Sequence, residues 1–130
     1  MIVLDASAAV DWLLQNAAGR RIEQRIFAHR ESLHAPHLLD LEVAQVLRRL
    51  ARQGVVARSR ADEAIRDLLD LRITRYPHSI LLSRIWQLRH NYSAYDAAYI
   101  ALAESLRAPL ITRDARLASA SNSTATIELF

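Results

Sequence analysis

A short apolar run, Ile2-Val3-Leu4, ends directly in an acid, Asp5. A second run, Leu110-Ile111-Thr112, reaches an acid, Asp114, after one intervening residue. Runs this short and this apolar read as strands buried on both faces, not as half-exposed strands with alternating polarity. Both acids should then emerge where a strand leaves the sheet.

The rest of the chain alternates in the same manner. Ser7 is placed to cap a helix running to about Leu14, and Arg20 to His29 reads as a second helix with Ile22, Ile26 and Phe27 on one face. Ser32 to Ala35 is a weaker strand. Pro36 opens a long helix, His37 to Gln53, stopped by Gly54. Ser59 or Asp62 opens another helix, carrying Ala61, Ile65, Leu68 and Leu69. Arg72 to Tyr76 reads as a strand, His78 to Arg89 and Ala94 to Leu106 as helices, and Pro109 to Thr112 as a strand. A short helix near Ala115 to Ala120 and a last strand, Thr126 to Phe130, complete the pattern. Strands alternating with helices predict a parallel sheet covered on both faces, with ligands bound beyond the carboxyl ends of the strands. Two helix pairs with no strand between them suggest an inserted helical hairpin.

The 130 residues suit a single domain, 1–130, and 52% of them are apolar, enough for a core without staples. The tail from Ser119 to Thr126 is too short to mark a domain boundary. The chain has no cysteine, which excludes disulfides, thiolate zinc sites and cysteine nucleophiles and fits a cytoplasmic location. No apolar run is long enough to span a membrane, and Asp5 and Asp11 interrupt the first apolar stretch, so neither a membrane span nor a signal peptide is expected. Two glycines, Gly19 and Gly54, are too few for a P-loop or a dinucleotide fingerprint. All 17 basic residues are arginine, and the formal charge is +3. That balance suits an acidic partner such as nucleic acid, although a GC-rich genome would favour arginine codons as well.

Most of the 14 acids read as surface charge; Asp62, Glu63, Asp67 and Asp70 share a helix with Arg60, Arg66 and Arg72 nearby. Asp5, Glu42, Asp96 and Asp114 differ. Glu42 lies among Leu38, Leu39, Val43 and Val46, near the core-facing side of its helix. Asp96 is the one acid in the stretch Ala94 to Ala101. Taken singly, Asp5, Asp96 and Asp114 are explained by nearby helix starts, where the dipole favours negative charge. Jointly, the four positions can converge on one end of the sheet. Two like charges about 5 Å apart cost roughly 3 kcal/mol at an effective dielectric near 20. Bound cations are the usual remedy, and an all-oxygen donor set favours Mg²⁺ or Mn²⁺ over zinc. Such a centre suits phosphodiester hydrolysis by metal-activated water.

Four stretches, MIVLDASA, LDLEVAQVL, YDAAYIALAE and LITRDARL, together resemble the PIN-domain nucleases, and more narrowly the VapC toxins of bacterial toxin–antitoxin pairs. They follow that family's order and spacing across nearly the whole chain. The resemblance implies a PIN-like three-layer α/β sandwich with about five parallel strands covered by helices. It implies a metal-dependent endoribonuclease toxin whose catalytic and metal-binding residues are Asp5, Glu42, Asp96 and Asp114, with Mg²⁺ or Mn²⁺ as cofactor. Asp5 and Asp96 would be the core ligands, Glu42 would help orient water, and Asp114 is the most variable member. Ser7 and Thr112 match positions where hydroxyls support the carboxylates. The implied partners are an RNA substrate (tRNA, rRNA or mRNA), a cognate VapB-like antitoxin reaching into a groove near the acids, and a second copy in a homodimer. Arg113 and Arg116, or Arg48, Arg49 and Arg52, are the candidates for RNA contact.

Other readings fare less well. A receiver domain needs a lysine, and the chain has none. A haloacid-dehalogenase-like phosphatase wants an aspartate where Ser7 stands, and a serine hydrolase wants a glycine-flanked elbow. His34 and His37 read as ordinary loop histidines. A housekeeping RNA-processing nuclease and a non-catalytic RNA- or protein-binding module of the same fold remain as alternatives.

Overall fold

The computed structural model describes residues 1–119 and 122–130. Five strands form one sheet in the order β3-β2-β1-β4-β5. They are β1 (Ile2–Leu4), β2 (Leu33–Pro36), β3 (Ile73–Tyr76), β4 (Leu110–Thr112) and β5 (Ile127–Leu129), and every pairing is parallel. The chain steps outward from β1 to β2 to β3, then returns to the far side of β1 to lay down β4 and β5. The direction therefore reverses between β1 and β4, and the crevice at their carboxyl ends is the switch point of the sheet.

Among the described residues, seven α-helices fill the crossovers: α1 (Ala6–Leu14), α2 (Ala17–Ala28), α3 (Leu38–Arg52), α4 (Arg58–Asp70), α5 (Leu82–Gln87), α6 (Ala94–Leu106) and α7 (Ala115–Ser119). The first three crossovers each carry two of them, one pair more than the two expected from the sequence. Central strands β1 and β4 are buried on both faces. Helix α6 is buried without a break from Ala97 to Ala103 and packs against β1, β2, β4 and α5. Its small side chains let it lie inside the molecule, so it shows no polar stripe. No helix of the described residues is long and apolar enough to cross a membrane.

Several local readings are corrected. Asp5, not Ser7, caps α1, because the strand ends one residue before it and its carboxylate reaches the Ala8 N–H at 3.0 Å. Helix α2 starts at Ala17 because Asn16 caps it through the Gly19 N–H at 2.8 Å. Phe27 is 64% exposed, outside the core formed by Ile22 and Ile26. It meets Trp12 edge-on at 6.5 Å. Leu69 also faces outward on α4. Pro36 ends β2 instead of opening α3. It lies beyond the reach of β1, so its missing N–H costs no ladder bond there, and His37 N–H bonds to Tyr76 instead. The helix expected from His78 to Arg89 is a 3₁₀ turn, His78–Leu81, followed by the shorter α5. Helix α7 runs to Ser119, and Ala120 lies outside the described residues. His34 is no loop residue: it is buried in β2, between the Ser32 hydroxyl at 2.9 Å and the Tyr76 phenol at 2.8 Å. His37 is exposed before α3.

Candidate active site

Two of the acids come directly from strand ends at the switch point. Asp5 leaves β1, and Asp114 leaves β4 after Arg113. The other two come from helices that run back along the sheet. A crossover helix leading into a parallel strand begins near the carboxyl edge, so its first turns share that edge with the strand ends. Asp96 occupies the first turn of α6, and Glu42 stands one turn into α3. Asp5, Glu42, Asp96 and Asp114 line one concavity together with Ser7, Gln45, Arg49, Tyr99 and Arg116.

Asp5 is the most enclosed, at 5% exposure. Its Oδ1 accepts from the Ser7 hydroxyl at 2.6 Å and from the Ala8 N–H, and its Oδ2 accepts from the Thr112 hydroxyl at 2.5 Å. Burial pushes its carboxyl above the usual aspartate range, and these donors pull the other way. Thr112 is fully buried and also accepts from the Asp114 N–H at 3.0 Å, so one hydroxyl ties both strand-end acids together. Ser7 accepts from the Arg113 N–H at 3.0 Å and so holds the same loop from the α1 side.

Glu42 and Asp96 are pushed up as well, in each case chiefly by burial. For Glu42 the neighbouring charges of Asp5 and Asp96 add to the rise, and a bond from Tyr99 opposes it. For Asp96 the charge of Asp114 adds to it, while a hydrogen bond from Ser93 and the charge of Arg116 oppose it. Asp114 behaves oppositely. The Arg116 guanidinium beside it holds its carboxyl below the usual range. Asp96 also has its own amide anchored, by donation to the Ser93 hydroxyl that caps α6.

Tyr99 went unremarked in the sequence, where it reads as one more apolar member of α6. Its phenol donates to Glu42 Oε1 at 2.7 Å. Burial, and then the Glu42 charge, raise the phenol pKa, so it stays a donor. The available signal was a tyrosine three positions after Asp96, hence on the same helix face. Arg113 is engaged elsewhere: it pairs with Asp11 at 2.7 Å and with the Phe130 carbonyl, which leaves Arg116 and Arg49 as the arginines lining the acids.

The lining offers carboxylate oxygens with no imidazole or sulfur, a donor set that suits a hard cation such as Mg²⁺ or Mn²⁺. Among the described residues, no group of three or more His, Asp or Glu side chains is preassembled to hold a metal ion. Asp5 is turned to its two hydroxyl donors, Glu42 to Tyr99, and Asp114 to Arg116. The residues therefore fit the cation in chemistry, and binding would require these side chains to exchange protein partners for it.

Residues 2–122 match the PIN domain family. Ribonuclease VapC9 of Mycobacterium tuberculosis is 47% identical over 90% of this chain and 88% of its own length. The crystal structure of PAE2754 from Pyrobaculum aerophilum superposes with a TM-score of 0.70 at 25% identity, over 97% of this chain and 81% of that one. Mycobacterium tuberculosis VapC20, described as a sarcin-ricin loop cleaving toxin, shares the fold at a TM-score of 0.66 and 18% identity, over 92% and 94% of the two chains. On this likeness across nearly its whole length, the chain belongs to the PIN-domain family, within its VapC ribonucleases.

Proposed function

We propose that this chain is a metal-dependent endoribonuclease, the toxin of a toxin–antitoxin pair, and that Asp5, Glu42, Asp96 and Asp114 hold Mg²⁺ or Mn²⁺. The observation that carries this reading is the meeting of four carboxylates, from β1, α3, α6 and the β4–α7 loop, in one concavity at the switch point. Burial raises the carboxyl pKa of three of them, Asp5, Glu42 and Asp96. A fold that gathers like charges out of water loses stability unless something opposes their repulsion. A bound divalent cation would do so, and would supply a water of lowered pKa and charge neutralisation at the phosphate.

The protein groups then divide the remaining work. Ser7 and Thr112 fix the Asp5 carboxylate from two sides. Tyr99 fixes Glu42, leaving its other oxygen for a water or a cation. Arg49 lines both the acid concavity and an adjoining groove with Gln45, Arg48, Arg52 and Gln53, which supports a path for the RNA backbone. Residues 1–130 would act as one unit in the cytoplasm. Its partners would be an RNA substrate (tRNA, rRNA or mRNA), a VapB-like antitoxin covering the concavity, and a second copy of the chain.

The test is incubation of the purified chain with bulk tRNA and ribosomal RNA in Mg²⁺ or Mn²⁺, beside EDTA and Asp96→Asn controls. Discrete fragments that disappear in both controls are expected. Fragments that persist in Asp96→Asn would remove that residue from the chemistry. RNA left intact with both metals would favour a binding module over an enzyme.

A further inference from the structure

We propose that Arg116 is an internal counter-ion that a divalent cation displaces from Asp114, and that the freed guanidinium then binds RNA phosphate. This rests on the acid-site reading above and adds a coupling between metal and RNA that the four acids alone do not provide.

Arg116 holds Asp114 through its side chain twice, Nη2 to Oδ2 at 2.6 Å and Nε to Oδ1 at 3.1 Å, and its backbone N–H adds a bond to Oδ1 at 2.9 Å. The pair differs from the other bidentate arginine pairs of the chain. Arg25 to Glu128, Arg75 to Asp40 and Arg84 to Glu104 each join elements distant in sequence. Arg116 and Asp114 are two residues apart, so their pairing bridges no elements and its loss would not loosen the fold. The Arg116 side chain is 84% exposed, yet it lines the same concavity as Asp5, Glu42 and Asp96.

A cation that took Asp114 oxygens would compete with the guanidinium for them and repel it. The planar fork that fits a carboxylate fits a phosphate equally well. An arginine released at the rim would stand beside the acids, where the backbone of a bound RNA must pass. Metal binding would thereby raise RNA affinity, and by linkage RNA would raise metal affinity.

The experiment is calorimetric titration of Mn²⁺ into the whole chain as wild type, Arg116→Ala, Asp114→Asn, the double variant and Asp96→Asn. Arg116→Ala is expected to bind Mn²⁺ about two- to five-fold tighter, the scale of an exposed ion pair, and to add nothing once Asp114 is Asn. Unchanged affinity in Arg116→Ala, or an equal gain in the Asp114→Asn background, would overturn the counter-ion role. Asp96→Asn separates the two readings. If it loses Mn²⁺ while Arg116→Ala equals wild type, the acid site stands and the counter-ion fails. If wild type binds no Mn²⁺, or Asp96→Asn binds as wild type does, the acid site fails first. The phosphate step is read with a short single-stranded RNA of mixed sequence and Ca²⁺ in place of Mn²⁺ to suppress cleavage. Ca²⁺ should tighten RNA binding in wild type and do so much less in Arg116→Ala. Equal tightening in both, or none in wild type, would overturn the transfer to phosphate.

Discussion

The Tyr99 phenol donates to Glu42 Oε1 at 2.7 Å and so joins α6 to α3 across the acid concavity. The bond favours the ionised carboxylate, against burial and against the charges of Asp5 and Asp96. Tyr99→Phe removes the donor and keeps the ring. The Glu42 pKa should then rise further, since the hydrogen bond that opposes burial is gone. Unfolding in urea should show a loss of about 1 kcal/mol. An NMR titration of the Glu42 carboxyl in the metal-free chain reads the shift directly, and the acid limb of RNA cleavage should move to higher pH with it. An unmoved titration would mean that Tyr99 only fills space.

Asp96→Asn should raise the stability of the metal-free chain at neutral pH while abolishing cleavage. The Asp96 carboxyl has a raised pKa in the folded chain, mainly through burial. Such a group binds its proton more tightly folded than unfolded. Its charge therefore penalises the fold above the raised pKa, and the penalty fades as pH falls through that value toward the ordinary 3.8. Asparagine carries no charge at any pH. The melting temperature of the variant minus that of wild type should be positive at pH 7 and shrink toward zero near pH 4. His34, whose pKa burial holds down, acts alike in both proteins and cancels in the difference. A difference that stays flat across this range would argue against a desolvated Asp96.

The strand-end acids were legible because their position follows from chain order. Once Ile2–Leu4 and Leu110–Thr112 are strands of a parallel sheet, Asp5 and Asp114 have nowhere else to emerge. Glu42 was legible as an acid near the core-facing side of an amphipathic helix, and Asp96 as the one acid in the apolar stretch Ala94 to Ala101. What those arguments miss is lateral reach. Whether Tyr99 touches Glu42 depends on how α6 crosses α3, which no spacing within one helix encodes. The cap of α1 is Asp5 and not Ser7, two residues on; both are good capping residues, and the choice depends on where the strand stops. Arg113 and Arg116 flank Asp114 alike in sequence, yet one turns to Asp11 on α1 and the other to the acids.

Gly19→Ala should destabilise the fold although alanine is the better helix former. Helix α2 crosses α1 with its backbone so close that a Cβ at Gly19 would stand 1.9 Å from the Asp11 carbonyl oxygen. The obstacle is backbone, which cannot swing aside. Overpacking of this kind costs about 1–3 kcal/mol, against a propensity gain of about 1 kcal/mol. Thermal unfolding should show a lower midpoint than wild type. A midpoint equal to or above that of wild type would mean that the two helices are not in this close contact.

Thr112 offers the sharpest separation of shape from hydrogen bonding at the site. Its buried hydroxyl donates to Asp5 Oδ2 at 2.5 Å and accepts from the Asp114 N–H at 3.0 Å. Thr112→Val keeps the volume but removes both bonds. Asp5 would lose a donor in a site where burial already opposes its charge, and the Asp114 amide would lose its acceptor. The expected cost is about 1–3 kcal/mol in urea unfolding, with a fall in RNA cleavage as the two carboxylates lose their common anchor. Thr112→Ser discards the methyl and keeps the hydroxyl, so it should cost less stability than Val and retain most cleavage. If Ser and Val lose cleavage equally, the methyl packing on β4 positions the acids, and the hydroxyl bridge between Asp5 and the Asp114 loop does not.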